Sequence, residues 1–300
     1  MKPGKFVAVG SSGTCFANAR TSPMTSDQPI AIVTGATSGI GRWIALGMAR
    51  AGHHVIVIGR DRARGIATQN WINRHVPRAS TELVIADLSL LSETRNAGKS
   101  IATRYSQISV LINNAGVFDS RPVATAEGHD RVLATNLLCP FVLTQVLLPS
   151  LVAGAPSRII NIGSSTSDRA QIDPDALVLG RRWAMRRAYS QSKLALMMTT
   201  FGLANRLRGT GVVANVVHPG LVATGLVRTG GLIGLVWRGL ALTALTEEQG
   251  AETPLHAALA PELGSVSGIY LKNRRAAPPN RQALDPDLLE RVWQATERLT

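Results

Sequence analysis

Thr34-Gly35-Ala36-Thr37-Ser38-Gly39-Ile40-Gly41 stands directly after the apolar run Ile30–Val33 and opens a helix-length segment, Gly39–Ala51. Glycines let backbone N–H groups approach an anion closely, and a helix N-terminus adds partial positive charge. The spacing is G-x-x-x-G-x-G, not G-x-G-x-x-G, and an ordinary tight strand-to-helix turn would use glycine too. Its place after a first strand and before a helix favours a phosphate cradle over a plain turn. Further strand-length apolar runs follow at His54–Ile58, Leu83–Ile85, Val110–Asn113, Arg158–Ile162, Val212–Val217 and Ile269–Leu271. Each is rich in Val, Ile and Leu on both faces, as strands covered by helices on either side must be. Helix-length segments alternate with them: Asp61–His75, Leu91–Tyr105, Asp130–Leu151, Trp183–Arg208, Glu247–Leu259 and Asp285–Leu299, the last with Pro286 in its first turn. This alternation predicts an α/β fold, a doubly wound parallel sheet of about seven strands with right-handed crossovers. Ligands of such sheets bind beyond the carboxyl ends of the strands.

Composition narrows the classes. The 300 residues are 45% hydrophobic and 17% charged, with 28 glycines, which fits one globular domain with a real core. We expect that domain over residues 28–300 and a disordered tail over 1–27, where Met24 is an alternative start. Residues 5–10 are too short for a signal-peptide core. The net charge of +13 suits anionic ligands, nucleic acid or an acidic membrane surface, and speaks to association rather than fold. A nucleic-acid binder would interleave basic and aromatic residues on one surface, whereas aromatics are 4% here and the arginines are scattered. Cys15 and Cys139 cannot make a disulfide framework, and no H-x-x-x-H pair occurs, so no metal is expected. The apolar stretch Leu221–Leu245 is broken by Arg228 and Arg238, and its longest charge-free piece, Thr229–Trp237, is too short to span a bilayer. It reads as a hydrophobic lid over a pocket, or as a membrane-surface foot using Trp237. The expected setting is therefore cytoplasmic, with peripheral membrane contact as the alternative.

The second strand ends in Gly59-Arg60-Asp61. An acid near this point holds a ribose 2′-hydroxyl in NAD binders, whereas an arginine accepts the 2′-phosphate of NADP. Gly59 leaves the acidic position empty and Arg60 supplies a guanidinium, with Arg42 as a second phosphate candidate. NADP(H) is therefore expected ahead of NAD(H), although Asp61 is close enough to reach a hydroxyl. Asp87-Leu88, after the third strand, suits an adenine contact; capping of the next helix is the alternative for Asp87.

Thr34–Gly41, Asn113-Asn114-Ala115-Gly116, Asn136, Ser164, Tyr189-Ser190-Gln191-Ser192-Lys193 and His218-Pro219-Gly220-Leu221-Val222-Ala223-Thr224 occur in an order that resembles the short-chain dehydrogenases/reductases. The resemblance implies an NAD(P)-binding Rossmann-type domain and a reaction on a hydroxyl/carbonyl pair. It implies cofactor contacts from Gly35, Thr37, Ser38, Gly39, Ile40, Gly41, Asn114, Ala115 and Gly116, and from Pro219, Gly220, Val222 and Thr224. It gives Tyr189 the acid/base role, Lys193 a hydrogen bond to the nicotinamide ribose, and Ser164 a donor role toward the substrate oxygen, with Ser165 as fallback. Asn136 would hold a water linking Lys193 to solvent, and His218 would pack near the Pro-Gly turn rather than act as a base. Family members commonly pair through the two long helices here placed at Asp130–Leu151 and Trp183–Arg208, so a homo-oligomer is expected.

Independent of any resemblance, Tyr189 and Lys193 are i and i+4 and share one helix face. A free phenol with a pKa near 10 is only about one part in a thousand ionised at neutral pH, and a fixed cation nearby would lower that pKa. Hydride would reach a carbonyl carbon while Tyr189 protonates the oxygen.

Ser164 and Tyr189 lie 25 residues apart, roughly a dozen more than the family's usual spacing, so an insertion falls between Ser167 and Arg187. That gap, with Gly59-Arg60-Asp61, Gly250-Ala251-Glu252-Thr253, Ser267-Gly268-Ile269-Tyr270 and Trp293, looks like the retinol-dehydrogenase-like branch. The branch acts on lipophilic alcohols and carbonyls, and the acid-free lid agrees with an apolar ligand. Arg181-Arg182 and Arg186-Arg187 would meet an acidic tail or a headgroup, or be a solvated loop. Reduction of a C=C bond within the same family, and a non-catalytic nucleotide sensor, are the competing readings.

Overall fold

A computed structural model describes residues 28–178, 180, 183–222 and 245–300. The tail 1–27, Thr224, Arg181-Arg182 and most of the predicted lid lie outside the described residues. The chain runs β1 (Ile30–Thr34), α1 (Gly39–Arg50), β2 (His54–Gly59), α2 (Arg62–His75), β3 (Thr81–Ile85), α3 (Leu91–Arg104), β4 (Val110–Asn113) and α4 (Arg131–Ala153). It continues through β5 (Ser157–Ile162), α5 (Met185–Arg206), β6 (Val212–His218), α6 (Glu247–Leu259), β7 (Tyr270–Lys272), β8 (Arg275–Ala277) and α7 (Pro286–Arg298). The strand order is β3-β2-β1-β4-β5-β6-β7-β8, and every pairing is parallel except β7 with β8. The sheet therefore reverses its winding between β1 and β4, and the glycine turn and the Asn113–Gly116 loop leave it on either side of that crevice.

Alternate residues of one strand feed opposite layers. Ile30 and Ile32 pack with Ile56, Leu111, Ile159 and helices α3 and α4, while Ala31 and Val33 pack with Val55, Val57, Ile112 and helices α1 and α6. A third cluster joins α4, α5 and α7 to Ile172 and Leu177 of the insertion. α4 is apolar and long enough to cross a membrane by length and composition, but 72% of its most apolar window is buried inside the domain.

The sheet has eight strands, one more than expected. Arg275-Ala276-Ala277 carries no apolar signal; it pairs because Asn273 and Arg274 take left-handed backbone angles (φ 46° and 62°) and fold a tight hairpin onto β7. α4 also departs from a plain helix. Ala134–Leu138 is π-helical, with Asn136 at its centre. Nothing in that run marks the extra residue per turn, although such bulges recur at functional sites.

Candidate active site

Gly35 and Gly39 take left-handed angles (φ 63° and 59°), which L side chains adopt at a cost. A Cβ on Gly41 would lie 2.4 Å from the Gly35 carbonyl oxygen and 2.3 Å from Asn114 Nδ2, so the turn folds too tightly for any side chain there. Asn114 staples it, donating from Nδ2 to the Thr34 carbonyl at 2.9 Å. Thr34 Oγ1 accepts from the N–H groups of Asn114 and Ala115, each at 2.9 Å. Ser38, the residue before α1, makes no side-chain cap bond, and no acid stands in the first turn. The first N–H groups of α1 thus keep their donors for an anion. Ile40 packs toward Gly250.

At the end of β2, a Cβ on Gly59 would meet the Thr37 methyl at 2.5 Å. The position where an acid would hold a ribose hydroxyl is filled by the turn itself. Arg60 is exposed. Asp61 caps α2, accepting from the Arg64 N–H at 3.0 Å, so its carboxylate is already committed to the helix. Arg42 stacks on Trp71, 4.0 Å from the ring centroid, and burial holds its guanidinium below the usual value. Asp87 does not cap α3; its Oδ1 accepts from Ser89 N and Oγ at 2.9 and 2.8 Å and shapes the turn after β3. Leu88 points into the core.

Across the crevice, Asn136 Oδ1 accepts from Val117 N at 2.8 Å, while its Nδ2 donates to Val117 O at 3.0 Å and to Ser192 Oγ at 3.1 Å. A Cβ on Gly116 would lie 3.3 Å from Asn136 Oδ1 and 3.6 Å from Lys193 Nζ, so these three positions converge. Lys193 is buried and donates from Nζ to the Ile162 carbonyl at 2.7 Å. Nζ is 5.9 Å from the Tyr189 ring centroid. The predicted helix face thus does gather the phenol and the ammonium. Tyr189 also meets Phe118 edge to face, centroids 4.9 Å apart, and the Ser164 side chain lies near enough to its hydroxyl to favour the phenolate. Ser164 is half-buried, whereas Ser165 is exposed.

One electrostatic expectation needs correction. Tyr189 does not lie below its ordinary pKa. Its hydroxyl end is deeply enclosed, and that burial pushes the phenol up, against the smaller downward pull of the Ser164 side chain. Burial likewise pushes the Lys193 ammonium down, to about 8. Desolvation is the largest cause at both groups.

Beyond β6, Gly220 (φ 91°) passes so close to Leu245 that a Cβ would approach Cδ1 to 2.5 Å, and Val222 bridges Leu245. Pro219 precedes this turn. His218 is kept well below its usual pKa, at about 4, chiefly by burial. A mostly apolar cavity of about 210 Å³ lies where the insertion (Leu177, Val178, Trp183) crosses Ala188 and Gln191 of α5. Val117, Phe118, Ser192 and the Ile162 carbonyl were not singled out from sequence. Three of them act through backbone or packing, which residue type does not announce; only the aromatic after Asn-Ala-Gly could have drawn notice.

Fold and glycine turn together define a dinucleotide-binding domain of the doubly wound class. The chain belongs to the short chain dehydrogenase family, whose model matches residues 29–230. Retinol dehydrogenase 12 of Homo sapiens is 34% identical over 89% of this chain and 84% of its own length. Polyprenol dehydrogenase of Mus musculus is 36% identical over 93% and 86%. An uncharacterized protein of Mycobacterium paratuberculosis superposes with a TM-score of 0.74 at 28% identity, covering 93% of this chain and 95% of the other. A short chain dehydrogenase of Burkholderia cenocepacia, solved with NADP, gives 0.66 at 26% identity, over 81% and 95%. The protein is thus a retinol-dehydrogenase-like oxidoreductase of a family that uses NAD(P).

Proposed function

We propose that this protein interconverts a lipophilic alcohol and its aldehyde or ketone with NADP(H), using Tyr189 as the acid/base group. The observation that carries the reading is the convergence of Tyr189 and the buried Lys193 on one helix face, Nζ 5.9 Å from the ring centroid, with the Ser164 side chain beside the phenol. The uncapped start of α1, the glycine cradle and the donors around Gly116 fit a dinucleotide: Ser38–Arg42 would take the pyrophosphate, Arg60 a 2′-phosphate, and Lys193 the nicotinamide ribose. The nicotinamide, when bound, supplies or accepts the hydride.

Toward alcohol, Tyr189 protonates the carbonyl oxygen while Ser164 donates to the same oxygen and steadies its developing charge. A phenol held above its ordinary pKa is well suited to keep that proton at neutral pH. Lys193 would hold the ribose and favour the phenolate once the proton has left. Asn136 holds the Val117 loop against α5 and, as in the family, would carry a water toward Lys193. The lipophilic substrate class rests on the relatives named for retinol and polyprenol, with the apolar cavity lining in agreement.

The test follows absorbance of NADPH and NADH with retinal, nonanal and a ketone panel. We expect faster turnover with NADPH, and loss of turnover in Tyr189→Phe with NADPH binding retained. Wild-type turnover in that variant would defeat the mechanism.

A further inference from the structure

Ser164 can act only if its hydroxyl is held on the tyrosine, and the turn that carries it has little structure of its own. Ser164 is extended (φ −155°) and starts a single 3-10 turn, Ser165–Ser167. Its Oγ accepts from Thr166 Oγ1 at 3.0 Å and, at 3.3 Å, from the Thr166 N–H. The turn is closed by Ser167, fully buried, whose N–H and Oγ both donate to the Ser164 carbonyl, at 3.0 and 2.6 Å.

The next anchor comes from far along the chain. Asn280, itself buried, donates from Nδ2 to the carbonyls of Ser167 (2.8 Å), Asp168 (3.3 Å) and Ala170 (2.8 Å). Its Oδ1 accepts from Gln282 N at 2.9 Å, which fixes the amide's orientation. Gln282 Oε1 in turn accepts from Ile172 N at 3.0 Å. On the other side of the turn, the Asp168 carboxylate receives the Tyr270 hydroxyl and the Lys272 ammonium from β7. Three carbonyl oxygens crowded onto one amide would repel one another without it, and a buried unpaired carbonyl is costly.

We propose that Asn280 is a positioning residue for the reaction, holding the Ser164 turn so that the serine hydroxyl stays on Tyr189. This rests on the Ser164–Tyr189 reading given above. Asn280 touches neither group; it acts through Ser167, and it couples the reacting end of β5 to the hairpin and loop beyond β7.

The experiment is a double-mutant cycle on the full chain with Ser164→Ala and Asn280→Ala, read with NADPH and nonanal, and in reverse with NADP and nonanol. Asn280→Ala should lower kcat about ten- to a hundred-fold, with the KM for NADPH nearly unchanged because the glycine cradle is built separately. In the Ser164→Ala background the same substitution should change kcat less than about two-fold. Asn280→Ala should also move the limb on which oxidation rises with pH to higher pH, in the direction of Ser164→Ala, since the Ser164 side chain is what pulls the phenol down. Equal losses in both backgrounds, or an unmoved limb, overturn the proposal. If Ser164→Ala is too slow to follow, the limb decides. If Asn280→Ala does not fold, Ser167→Ala, which removes the 2.6 Å bond to the Ser164 carbonyl, is expected to give the same kcat loss and limb shift, and wild-type behaviour there is the negative result. Failure of the underlying reading looks different: Ser164→Ala would then turn over as fast as the parent chain.

Discussion

Lys193 carries its ammonium into a buried site where its hydrogen bond runs to the Ile162 carbonyl. Burial disfavours the charged form and pushes the group from 10.5 down to about 8. Between those values the unfolded chain binds a proton that the native protein lacks, so stability rises with pH across that window; below it the cost of the buried charge is full. Lys193→Met should therefore abolish turnover and yet raise Tm near neutral pH by roughly 2–4 °C, which is about 1 kcal/mol at this size. Thermal melts at about pH 7 and about pH 10 should show that gain shrinking as pH rises; a lower Tm at both would mean the ammonium is net stabilising. At the end of β2 the constraint is steric. Gly59 is held against the Thr37 methyl, and the exposed Arg60 follows it. Arg60→Asp should move the ratio of kcat/KM for NADPH over NADH toward NADH, and an unchanged ratio would remove Arg60 as the phosphate anchor.

α7 decides how the long helices are used. Trp293 is buried against Phe141 of α4, centroids 4.8 Å apart, and Arg206 of α5 lies over its ring at 4.0 Å. Arg206 also pairs with Glu290, and Arg291 with Asp175 of the insertion. One helix thus covers α5 and clamps the inserted segment. Pairing of two copies through α4 and α5, as the resemblance implies, would have to use what α7 leaves open, such as the exposed Val152. Trp293→Ala should destabilise the protein by about 3–5 kcal/mol, measured by urea unfolding, because the ring leaves a cavity between three helices. A loss under about 1 kcal/mol would show that α7 docks without it.

At the scale of the whole molecule, +13 charges on a family whose cofactor is an anion fit long-range attraction of the dinucleotide toward the crevice. The strand periods, the helix segments and the doubly wound order were legible because apolar residues must recur on buried faces. The glycine turn and the Tyr189–Lys193 spacing were legible because each is local, within one turn of backbone. β8 and the π-helical turn at Asn136 were not, since both arise from backbone geometry that residue type does not encode.

Local chemistry, then, was settled by the chain itself: which strand carries the glycines, which helix carries the phenol and the ammonium, and how long the insertion is. Tertiary structure alone decided the sign of the Tyr189 shift and the anchoring of the Ser164 turn by Asn280, 113 residues from Ser167. Burial and long-range hydrogen bonds are properties of the folded whole. They depend on what surrounds a group in space, and a sequence lists neighbours along the chain only.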